Sequence, residues 1–542
     1  MSARARGSAY RVQSMRHASR VSLPTLRLDY LDRNNGKLAN TLDPALVSSA
    51  TDADIIAMVN DGLVVIGTDN KVHLHLADGY TVSKNHKVYT FHIRKNARFS
   101  NGHRVTAGSV RFAILRALAP STVSEVATTY MGEIVGANVY KAGRASDVAG
   151  VKVLDNSTIR ISLDKPYAYF LKTFTYQTSW PLDPSVLQGK TAAPLGNFLT
   201  QDCRGNQGAG PFTFVCFGNR FYPSGHSPSY TLVPSKFWWG RKAHLRIVIN
   251  AYSSLEDAYS AYKRGQLEMV SIPTGFIVQE RKNKKEFHQF STSVVRYFVP
   301  NTNKAPMNDV HCRLAAAYAI DRNKLANTIL HGTVNIIYDV VPPGFLGYYD
   351  GRDNPHFDLA KAKAELGKCR SRTVPMKLTY PTGSSDSDRT FREANRELQA
   401  VGFRSTANAI SANDWLTTVS QSLENTNTQF VMGGWQQDYP DPQDYVSILL
   451  RCGSDYNVGL WCSKTFSNLV DRADMESSPQ KRAQLYIQAQ HLAISQGAWI
   501  TLWNTETYEL IKPYVRGMTG GVAYADIVPK NYDWSNVTVS NH

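Results

Sequence analysis

Hydrophobic and polar positions alternate in short blocks along the chain, and several blocks have the two-residue period of a β-strand. Residues 23–30 and 88–94 alternate in this way, and residues 245–249 form a short, mainly apolar run between polar positions. Residues 151–163 predict a hairpin of two strands around a turn at 155–157. Strands are therefore expected over much of the first half of the chain.

Other blocks place apolar residues at the three- and four-residue spacing of a helix. Residues 55–65 predict a helix that leads into a turn at 67–70, and Thr106 is the expected N-cap of a later helix. Residues 479–494 and 311–329 have the clearest amphipathic pattern. In the second of these, the predicted buried stripe consists of Leu314, Ala317, Tyr318, Leu325 and Ile329.

Helix and strand signals are mixed without a fixed repeat, which indicates an α/β or α+β fold and not a solenoid. A chain of 542 residues is too long for one compact core, so two or more lobes are expected. Residues 205–228 are rich in Gly, Asn and Pro and are expected to interrupt regular structure. Residues 1–20 contain five arginines and no acidic residue, and they are expected to form a basic, disordered tail.

The chain is strongly basic, with 60 Lys and Arg against 44 Asp and Glu and a formal net charge of +16. Such a charge attracts anionic surfaces, including nucleic acids and cell envelopes. The sequence has no nucleic-acid-binding basic tail and no zinc-finger spacing, so a nucleic-acid partner is not expected. The sequence contains no stretch of about 18 apolar residues, so no membrane-spanning helix is predicted. Residues 1–20 are basic like the start of an export signal, but no apolar segment follows them.

Six cysteines are present, and none lies in a CxxC motif or at the spacing of a zinc site. Cys203 with Cys216, and Cys452 with Cys462, would close loops rich in Gly, Asn and Ser. Each such disulfide would stabilise the fold by roughly 3 kcal/mol. Disulfides would indicate an oxidising compartment. Six buried free thiols are the alternative.

The common motifs of catalysis and cofactor binding are not found in the sequence. It contains no GxSxG elbow, no HExxH, no Walker phosphate loop and no GxGxxG after a predicted strand. Asp438 and Asp441 could act as a carboxylate pair, but their spacing in a proline-containing segment is typical of a turn. His73 and His75 share one face of a strand without a third ligand, so a metal site is not expected. Neither a cofactor nor an enzymatic reaction is predicted.

Several segments, in their order along the chain, resemble the bacterial family 5 extracellular solute-binding proteins, which include oligopeptide, dipeptide and nickel binders. The resemblance extends from about Leu26 to Gly517. The segments that carry it are residues 89–102 with 105–110, residues 208–212, residues 301–310 with Arg313, and residues 319–322. They are similar to the family's signature strand, turn and helix, to its Gly-Thr-Gly-Pro-Tyr turn, and to the segment that follows its interlobe crossover.

The resemblance implies an α/β chain with the two-lobed periplasmic-binding-protein fold of type II, in the large peptide-binding cluster, with an extra small α+β domain on lobe I. The implied boundaries are a tail at 1–20, lobe I at 21–60, 182–295 and 504–542, the extra domain at 61–181, and lobe II at 296–503. The chain would cross between the lobes near 293–299 and return near 502–505. Contacts of an enclosed ligand with both lobes would stabilise the closed form.

The segment 433–442, Gly-Gly-Trp-Gln-Gln-Asp-Tyr-Pro-Asp-Pro, contains the implied binding site. In peptide binders of this family, the aspartate three residues after the tryptophan pairs with the α-ammonium group of the ligand, and Asp438 holds that position here. A carboxylate buried by closure needs a cationic partner, because an unpaired buried charge is costly. Trp435 would wall the pocket, and main-chain groups of 433–436 and 48–50 would pair with a peptide as an added strand. The predicted ligand-binding residues are Asp438, Trp435, Gly433, Gly434, Gln436, Ser49 and Ala50.

The resemblance implies the substrate-binding component of an ABC importer, which captures di- or oligopeptides and delivers them to a membrane permease. The protein is expected to be an extracytoplasmic monomer and not an enzyme. Two alternatives use the same fold: a nickel chelate, haem or oligosaccharide as the ligand, and a peptide sensor in signalling. A structural turn around a packed tryptophan is the alternative interpretation of residues 433–442.

Overall fold

The structure is a computed structural model. It describes residues 23–31, 39–188, 199–200, 202–218, 220–221, 229–351, 353–382, 385–411, 414–415, 422–518 and 533–540. The basic tail predicted at residues 1–20 therefore lies outside the described residues. No helix in these ranges combines the length and the apolarity that crossing a bilayer requires.

Helices occur throughout the described residues, and several of them begin where a polar side chain accepts a backbone N–H group of the first turn. The helix predicted after Thr106 is confirmed and has a capping box, in which Thr106 and Ser109 each accept the backbone N–H of the other. The described helices are Ala50–Val59, Ala107–Leu118, Ala127–Met131, Ala137–Lys141, Phe170–Thr173, Pro184–Leu187, Leu255–Lys263, Thr274–Glu280, Val310–Ala319, Arg322–Lys324, Leu359–Lys368, Ser385–Val401, Gln443–Leu450, Lys464–Met475 and Pro479–Ser495. Shorter turns lie at Pro120–Thr122, Gln177–Ser179, Cys203–Gly205 and Leu325–Ile329.

One four-stranded sheet forms the centre of the first core. Its strands, in spatial order, are Thr25–Leu31, Arg246–Tyr252, Ser229–Pro234 and Phe212–Phe214. The first two strands pair in parallel, although they come from distant parts of the chain. Alternate residues of the first strand, Leu26 and Leu28, are fully buried, which is the burial that the two-residue period predicts.

A second four-stranded sheet is formed within residues 77–162. Its strands, in spatial order, are Ala77–Val82, Val88–Ile93, Thr158–Ser162 and Val151–Asp155. The strand predicted at 88–94 and the hairpin predicted at 151–163 are therefore confirmed. The capped helix Ala107–Leu118 packs on this sheet, where Val110 and Ile114 belong to the same buried cluster as Phe91.

The largest sheet has seven strands and connects two cores. Six of them follow the order Met269–Ser271, Ile500–Ile511, Phe287–Pro300, Phe430–Trp435, Met376–Pro381 and Ser405–Ile410, and Val334–Ile336 pairs with Ile500–Ile511. At one end of the long central strands, Ile511 packs in a cluster with Leu26. At the other end, Phe298 and Ile500 pack in a different cluster with Leu378. The strands Phe287–Pro300 and Ile500–Ile511 therefore carry the chain between two hydrophobic cores.

Three further strand pairs are short. Val64–Ile66 pairs with Val72–Leu74, Cys216–Phe217 pairs with Arg220–Phe221, and Val515–Arg516 pairs with Thr538–Val539. The second pair and the strand Phe212–Phe214 lie inside the region 205–228, so the prediction that regular structure is interrupted there is wrong over this part. Residues 222–228 lie outside the described residues.

Two predicted helices have different bounds in the structure. Residues 55–65 are not one helix, because the helix Ala50–Val59 ends at Asn60 and the buried strand Val64–Ile66 follows. The helix predicted at 311–329 ends at Ala319, because Asp321 starts a new turn by accepting the N–H of Lys324. Of the predicted stripe, Ala317 and Leu325 are buried, whereas Leu314, Tyr318 and Ile329 are only partly buried.

The six cysteines form three disulfides in the structure. Cys203–Cys216 and Cys452–Cys462 have Cα–Cα distances of 5.7 and 4.7 Å, so both predicted pairs are confirmed. The third disulfide, Cys312–Cys369, closes a separation of 57 residues and was not predicted. It joins the helix Val310–Ala319 to the end of Leu359–Lys368, and both cysteines are buried.

Candidate functional site

The strand Phe430–Trp435 has one paired edge and one edge that is open over most of its length. All six of its residues pair with Phe287–Pro300 on the first edge. On the other edge, Met376–Pro381 pairs only with Phe430 and Val431. Within the described residues, the main chain of 432–435 thus has no strand beside it on this edge. An extended ligand could add there as a further strand.

Two glycines on this strand leave room for side chains from the neighbouring strand. A Cβ atom on Gly433 would collide with the ring of Tyr297, and one on Gly434 would collide with the guanidinium group of Arg296. The two glycines point to opposite faces, so one neighbour covers each face. Tyr297 also stacks on Trp499, with ring centroids 3.5 Å apart.

Asp438 lies in the bend that follows the strand and is half-buried. The hydroxyl of Tyr130 donates a hydrogen bond to its Oδ2 atom at 2.5 Å. Tyr130 belongs to the small helix Ala127–Met131, far from Asp438 in sequence. It stacks on Tyr176, with ring centroids 3.9 Å apart. The carboxylate is therefore at a contact between the 77–162 sheet region and the seven-stranded sheet.

A cavity of about 190 Å³ opens beside Asp438. No described residue that lines it has a basic side chain, whereas Asp438 lines it with a carboxylate. The Nε2 atom of Gln436 is buried beside it and has no hydrogen-bond partner among the described residues. The lining residues are Ser48, Ala50, Ala53, Val126, Tyr130, Tyr176, Trp435, Gln436, Gln437, Asp438 and Tyr456. This cavity thus offers an anion within aromatic walls, together with an amide donor, which suits a cation with a nearby carbonyl.

A second carboxylate, that of Asp444, is hydrogen-bonded to the segment that carries Asp438. Asp444 is fully buried, and its Oδ2 atom accepts hydrogen bonds from the backbone N–H of Asp438 at 2.9 Å and from Nε1 of Trp435 at 3.2 Å. Burial and the negative charge of Asp438 raise the pKa of Asp444 well above its ordinary value. Burial and the same charge raise the pKa of Tyr456 to about 12. Both shifts have the same two causes, the burial of the side chain and the nearby negative charge of Asp438.

The bend that carries Asp438 is also bonded to the long strands between the cores. Ser293 accepts the N–H of Gln437 at 3.3 Å through its Oγ atom, and its carbonyl oxygen accepts the hydroxyl of Tyr445 at 2.6 Å. Ser293 lies where the pairing of Phe287–Pro300 with Ile500–Ile511 shifts register. This register irregularity is therefore hydrogen-bonded to the bend that carries Asp438.

A buried ion network lies next to the cavity. Asp441 is fully buried and accepts two hydrogen bonds from Arg482, at 2.6 and 2.7 Å, and one from Lys172 at 2.8 Å. Burial alone would raise the pKa of Asp441, but the charges of Arg482 and Lys172 lower it to about 2. Lys172 lies on Phe170–Thr173, so the network joins two separate parts of the chain.

A larger cavity of about 630 Å³ adjoins the first one, since Trp435 and Tyr456 line both. It runs along the open strand edge, where Gly433 and Gly434 contribute to its wall. The aromatic residues that line it include Trp415, Trp499, Trp503, Tyr297, Tyr508 and Phe391. Its size falls within the usual range for ligand pockets.

The structure brings most of the predicted site residues together. Asp438, Trp435, Gln436 and Ala50 line the smaller cavity, and Gly433 and Gly434 line the larger one. Ser49 lines neither among the described residues, and its hydroxyl is bonded to Thr51 at 2.7 Å. Its neighbour Ser48 lines the smaller cavity instead.

Sequence reasoning missed the residues that reach the site from other segments. These are Tyr130, Tyr176, Tyr456, Asp444, Lys172, Arg482 and Arg296. A high aromatic content was the one sequence signal for the three tyrosines. No local pattern distinguishes them from aromatic residues of the core.

The chain matches a described protein family over most of its length. The bacterial extracellular solute-binding proteins, family 5 Middle, match residues 71–457. The oligopeptide-binding protein OppA of Bacillus subtilis is 24% identical over 479 residues, which cover 84% of each chain. The periplasmic oligopeptide-binding protein OppA of Escherichia coli is 25% identical over 516 residues, which cover 90% of each chain.

The fold is also shared with a solved structure. The pheromone receptor PrgZ, described with its mode of peptide binding, is 21% identical, and the alignment covers 96% of this chain and 100% of that one. The TM-score of 0.78 shows that the two chains have the same architecture. The predicted two-lobed α/β fold is thereby confirmed.

Proposed function

The chain belongs to the bacterial extracellular solute-binding proteins of family 5, and from this premise we propose that it captures peptides with a free amino terminus for an ABC importer. One observation carries the proposal. Asp438 presents a carboxylate to a cavity that is walled by tyrosines and Trp435 and lined by no basic side chain among the described residues. An α-ammonium group would place a positive charge beside this carboxylate and could also pack against the aromatic rings.

The peptide backbone would bind on the open edge of the strand Phe430–Trp435. Main-chain groups of 432–435 pair with a ligand of any sequence, which gives affinity without side-chain selection. Nε2 of Gln436, which has no hydrogen-bond partner among the described residues, would donate to a carbonyl near the amino terminus of the ligand. The relatives whose names describe oligopeptide binding support this mode.

In this proposal the ligand is captured when two lobes close around it. The boundaries of the lobes and of the extra domain, at residues 60, 181, 295 and 503, come from the sequence and belong to the proposal. Within these boundaries Ala50 and Tyr130 belong to lobe I and its extra domain, Asp438 and Trp435 belong to lobe II, and all four line the smaller cavity. Ligand contacts on both sides would favour the closed form, which a membrane permease would then recognise. In this role the protein binds and releases its ligand unchanged outside the cytoplasm and is not an enzyme.

Blocking the amino terminus of the ligand tests the proposal directly. Tri- and tetrapeptides with a free amino terminus should raise the melting temperature of the protein, and their acetylated forms should not, because an amide has no charge to offer Asp438. Differential scanning fluorimetry against both sets measures the difference. Nickel, haem and oligosaccharides belong in the same screen. Stabilisation by one of these alone, or equal stabilisation by acetylated peptides, would refute the proposal.

Lys172→Met is expected to weaken the closed form without unfolding the chain. Asp441 keeps its two bonds to Arg482 in this variant, whereas the link from Phe170–Thr173 across to Asp441 and the Pro440 carbonyl is lost. A partly exposed ion pair of this kind contributes about 1 kcal/mol, so the affinity for peptides should fall about fivefold. Calorimetry measures the affinity, and X-ray scattering should show a larger radius of gyration without ligand.

Lys165→Met is the matched control, because Lys165 is an exposed lysine seven residues earlier in the same segment. It should leave both the affinity and the radius of gyration unchanged. Identical behaviour of the two variants would show that the Lys172 link does not hold the closed form.

A further inference from the structure

Asp441 and Asp444 are both fully buried, but only Asp441 is paired with cations. Arg482 and Lys172 donate three hydrogen bonds to it. No described basic side chain is hydrogen-bonded to Asp444, and its Oδ1 atom has no hydrogen-bond partner among the described residues. A carboxylate without a cation is costly in a protein interior, and such a group takes up a proton instead. At neutral pH, Asp441 should therefore be ionised and Asp444 protonated.

Among the described residues, no other cation is ion-paired with Asp444. Arg296, on the neighbouring strand, lies against Gly434. Burial raises the pKa of each tyrosine that faces Asp444 well above its ordinary value, so these tyrosines stay neutral. The acids and tyrosines that face it are Asp438, Asp441, Tyr130, Tyr176 and Tyr439, and the helices packed against Gln443–Leu450 add Asp474 and Arg482, which are bonded to Ser447 and Asp441.

Hydrogen bonds join Asp444 to the proposed ammonium site. Its Oδ2 atom accepts the backbone N–H of Asp438 at 2.9 Å and Nε1 of Trp435 at 3.2 Å. Both donors favour the ionised form of Asp444. Asp444 also lies in the first turn of the helix Gln443–Leu450, where the partial positive charge of the helix end has the same effect. A cation that arrives at Asp438 would therefore meet a carboxyl group that can ionise.

We propose that Asp444 holds a proton while the site is empty and loses it when the ammonium group of a peptide binds at Asp438. This inference rests on the proposed function and adds a proton-linked step to it. The O–H bond of the carboxyl group breaks, its electron pair stays on the carboxylate, and the proton passes to the solvent. The ammonium group and the N–H groups of Asp438 and Trp435 stabilise the new charge. Because protons then compete with the peptide, its affinity should fall as the pH falls.

Calorimetry with trialanine on the full chain tests the proposal. Titrations in phosphate and in Tris buffer count the protons released, because the two buffers differ in their heat of protonation. Between about pH 6 and 7.5, the wild type should release about 0.3 proton or more per peptide beyond the number that Asp444→Asn releases. Over the same range, the affinity of the wild type should rise about threefold or more relative to that of the variant. The amino group of the peptide titrates alike in both proteins, so the difference reports Asp444.

Infrared difference spectroscopy keeps the test decisive if Asp444→Asn does not fold. Adding trialanine to the wild type should remove a band of a protonated carboxyl group, which is distinct from the bands of a carboxylate. Asp444→Asn, where it folds, should not show this loss. A wild-type spectrum without the loss would overturn the proposal.

Asp455→Asn is the control, since Asp455 is exposed and lines neither cavity. It should release as many protons as the wild type does. If free-amine peptides bind but the wild type and Asp444→Asn release equal numbers of protons, the role of Asp444 is wrong and the proposed function stands. If no free-amine peptide binds, both are wrong.

Discussion

Replacing Asp438 by asparagine is expected to remove most of the affinity for peptides with a free amino terminus. Asparagine keeps the shape of the side chain and can still accept from Tyr130, so only the charge opposite the ligand ammonium is lost. Leaving one member of a buried ion pair without its partner costs about 2–5 kcal/mol, which is a factor of about 30 or more in Kd. Calorimetry with a tetrapeptide measures this loss.

The same variant should be no less stable than the wild type. Asp438 faces the buried carboxyl group of Asp444, whose pKa it raises, so removal of one charge relieves a repulsion. Thermal unfolding without ligand should therefore show an equal or higher midpoint. An equal or higher midpoint would show that the variant loses affinity without losing its fold.

Asp455→Asn is the matched control for Asp438→Asn. Asp455 is exposed and adjoins Tyr456, and it lines neither cavity. The control should retain wild-type affinity. If Asp438→Asn also retained it, the ligand ammonium would have to lie elsewhere.

Arg482→Met is expected to give the largest loss of stability, about 3–5 kcal/mol. The variant leaves Asp441, which is fully buried, with Lys172 as its remaining cation. Removing one partner of a buried pair is costly because the other charge stays in the apolar interior. Unfolding in guanidinium chloride at pH 7 measures the change. Arg472→Met, an exposed change in the neighbouring helix, should alter stability by less than about 0.5 kcal/mol.

A double variant distinguishes the cost of the uncompensated charge from the cost of the lost packing. Adding Asp441→Asn to Arg482→Met removes the uncompensated charge and should restore part of the stability. If the double variant is as unstable as the single one, the lost packing of Arg482 explains the effect instead.

Acid pH should reduce the difference between Arg482→Met and the wild type. The pKa of Asp441 is lowered to about 2 in the folded protein, against about 3.9 for an unperturbed aspartate. Its ionised form therefore stabilises the fold above about pH 4, and this contribution is lost as the pH falls through 2. At pH 3 or below, the two proteins should differ by less than they do at neutral pH.

Local structure followed from the sequence where neighbouring residues decide it. The strand at 88–94 and the hairpin at 151–163 obey the two-residue period, and Thr106 caps its helix through contacts three residues away. The Cys203–Cys216 and Cys452–Cys462 pairs were predictable because each closes a short loop. The family and the fold could be predicted from the sequence for a related reason, since the motifs that indicate them, such as residues 89–102, are short and contiguous.

Sequence alone also predicted part of the candidate site. Asp438, Trp435 and Gln436 lie within four residues of one another, so their proximity is given by the chain itself. Their places around the smaller cavity agree with the predicted segment, although contact with a ligand stays a prediction.

Only the tertiary structure decided the contacts between residues that are far apart in the sequence. Tyr130 reaches Asp438, and Lys172 reaches Asp441, only because separate segments close on one another. The Cys312–Cys369 pair was missed for the same reason, as 57 residues separate its ends. The helix predicted at 311–329 ends earlier, at Ala319, because Asp321 caps a new turn, and the hydrophobic period does not indicate such a cap. Periodicity reports which side of an element is buried, whereas a binding site depends on which buried sides face each other, and only the folded chain determines that.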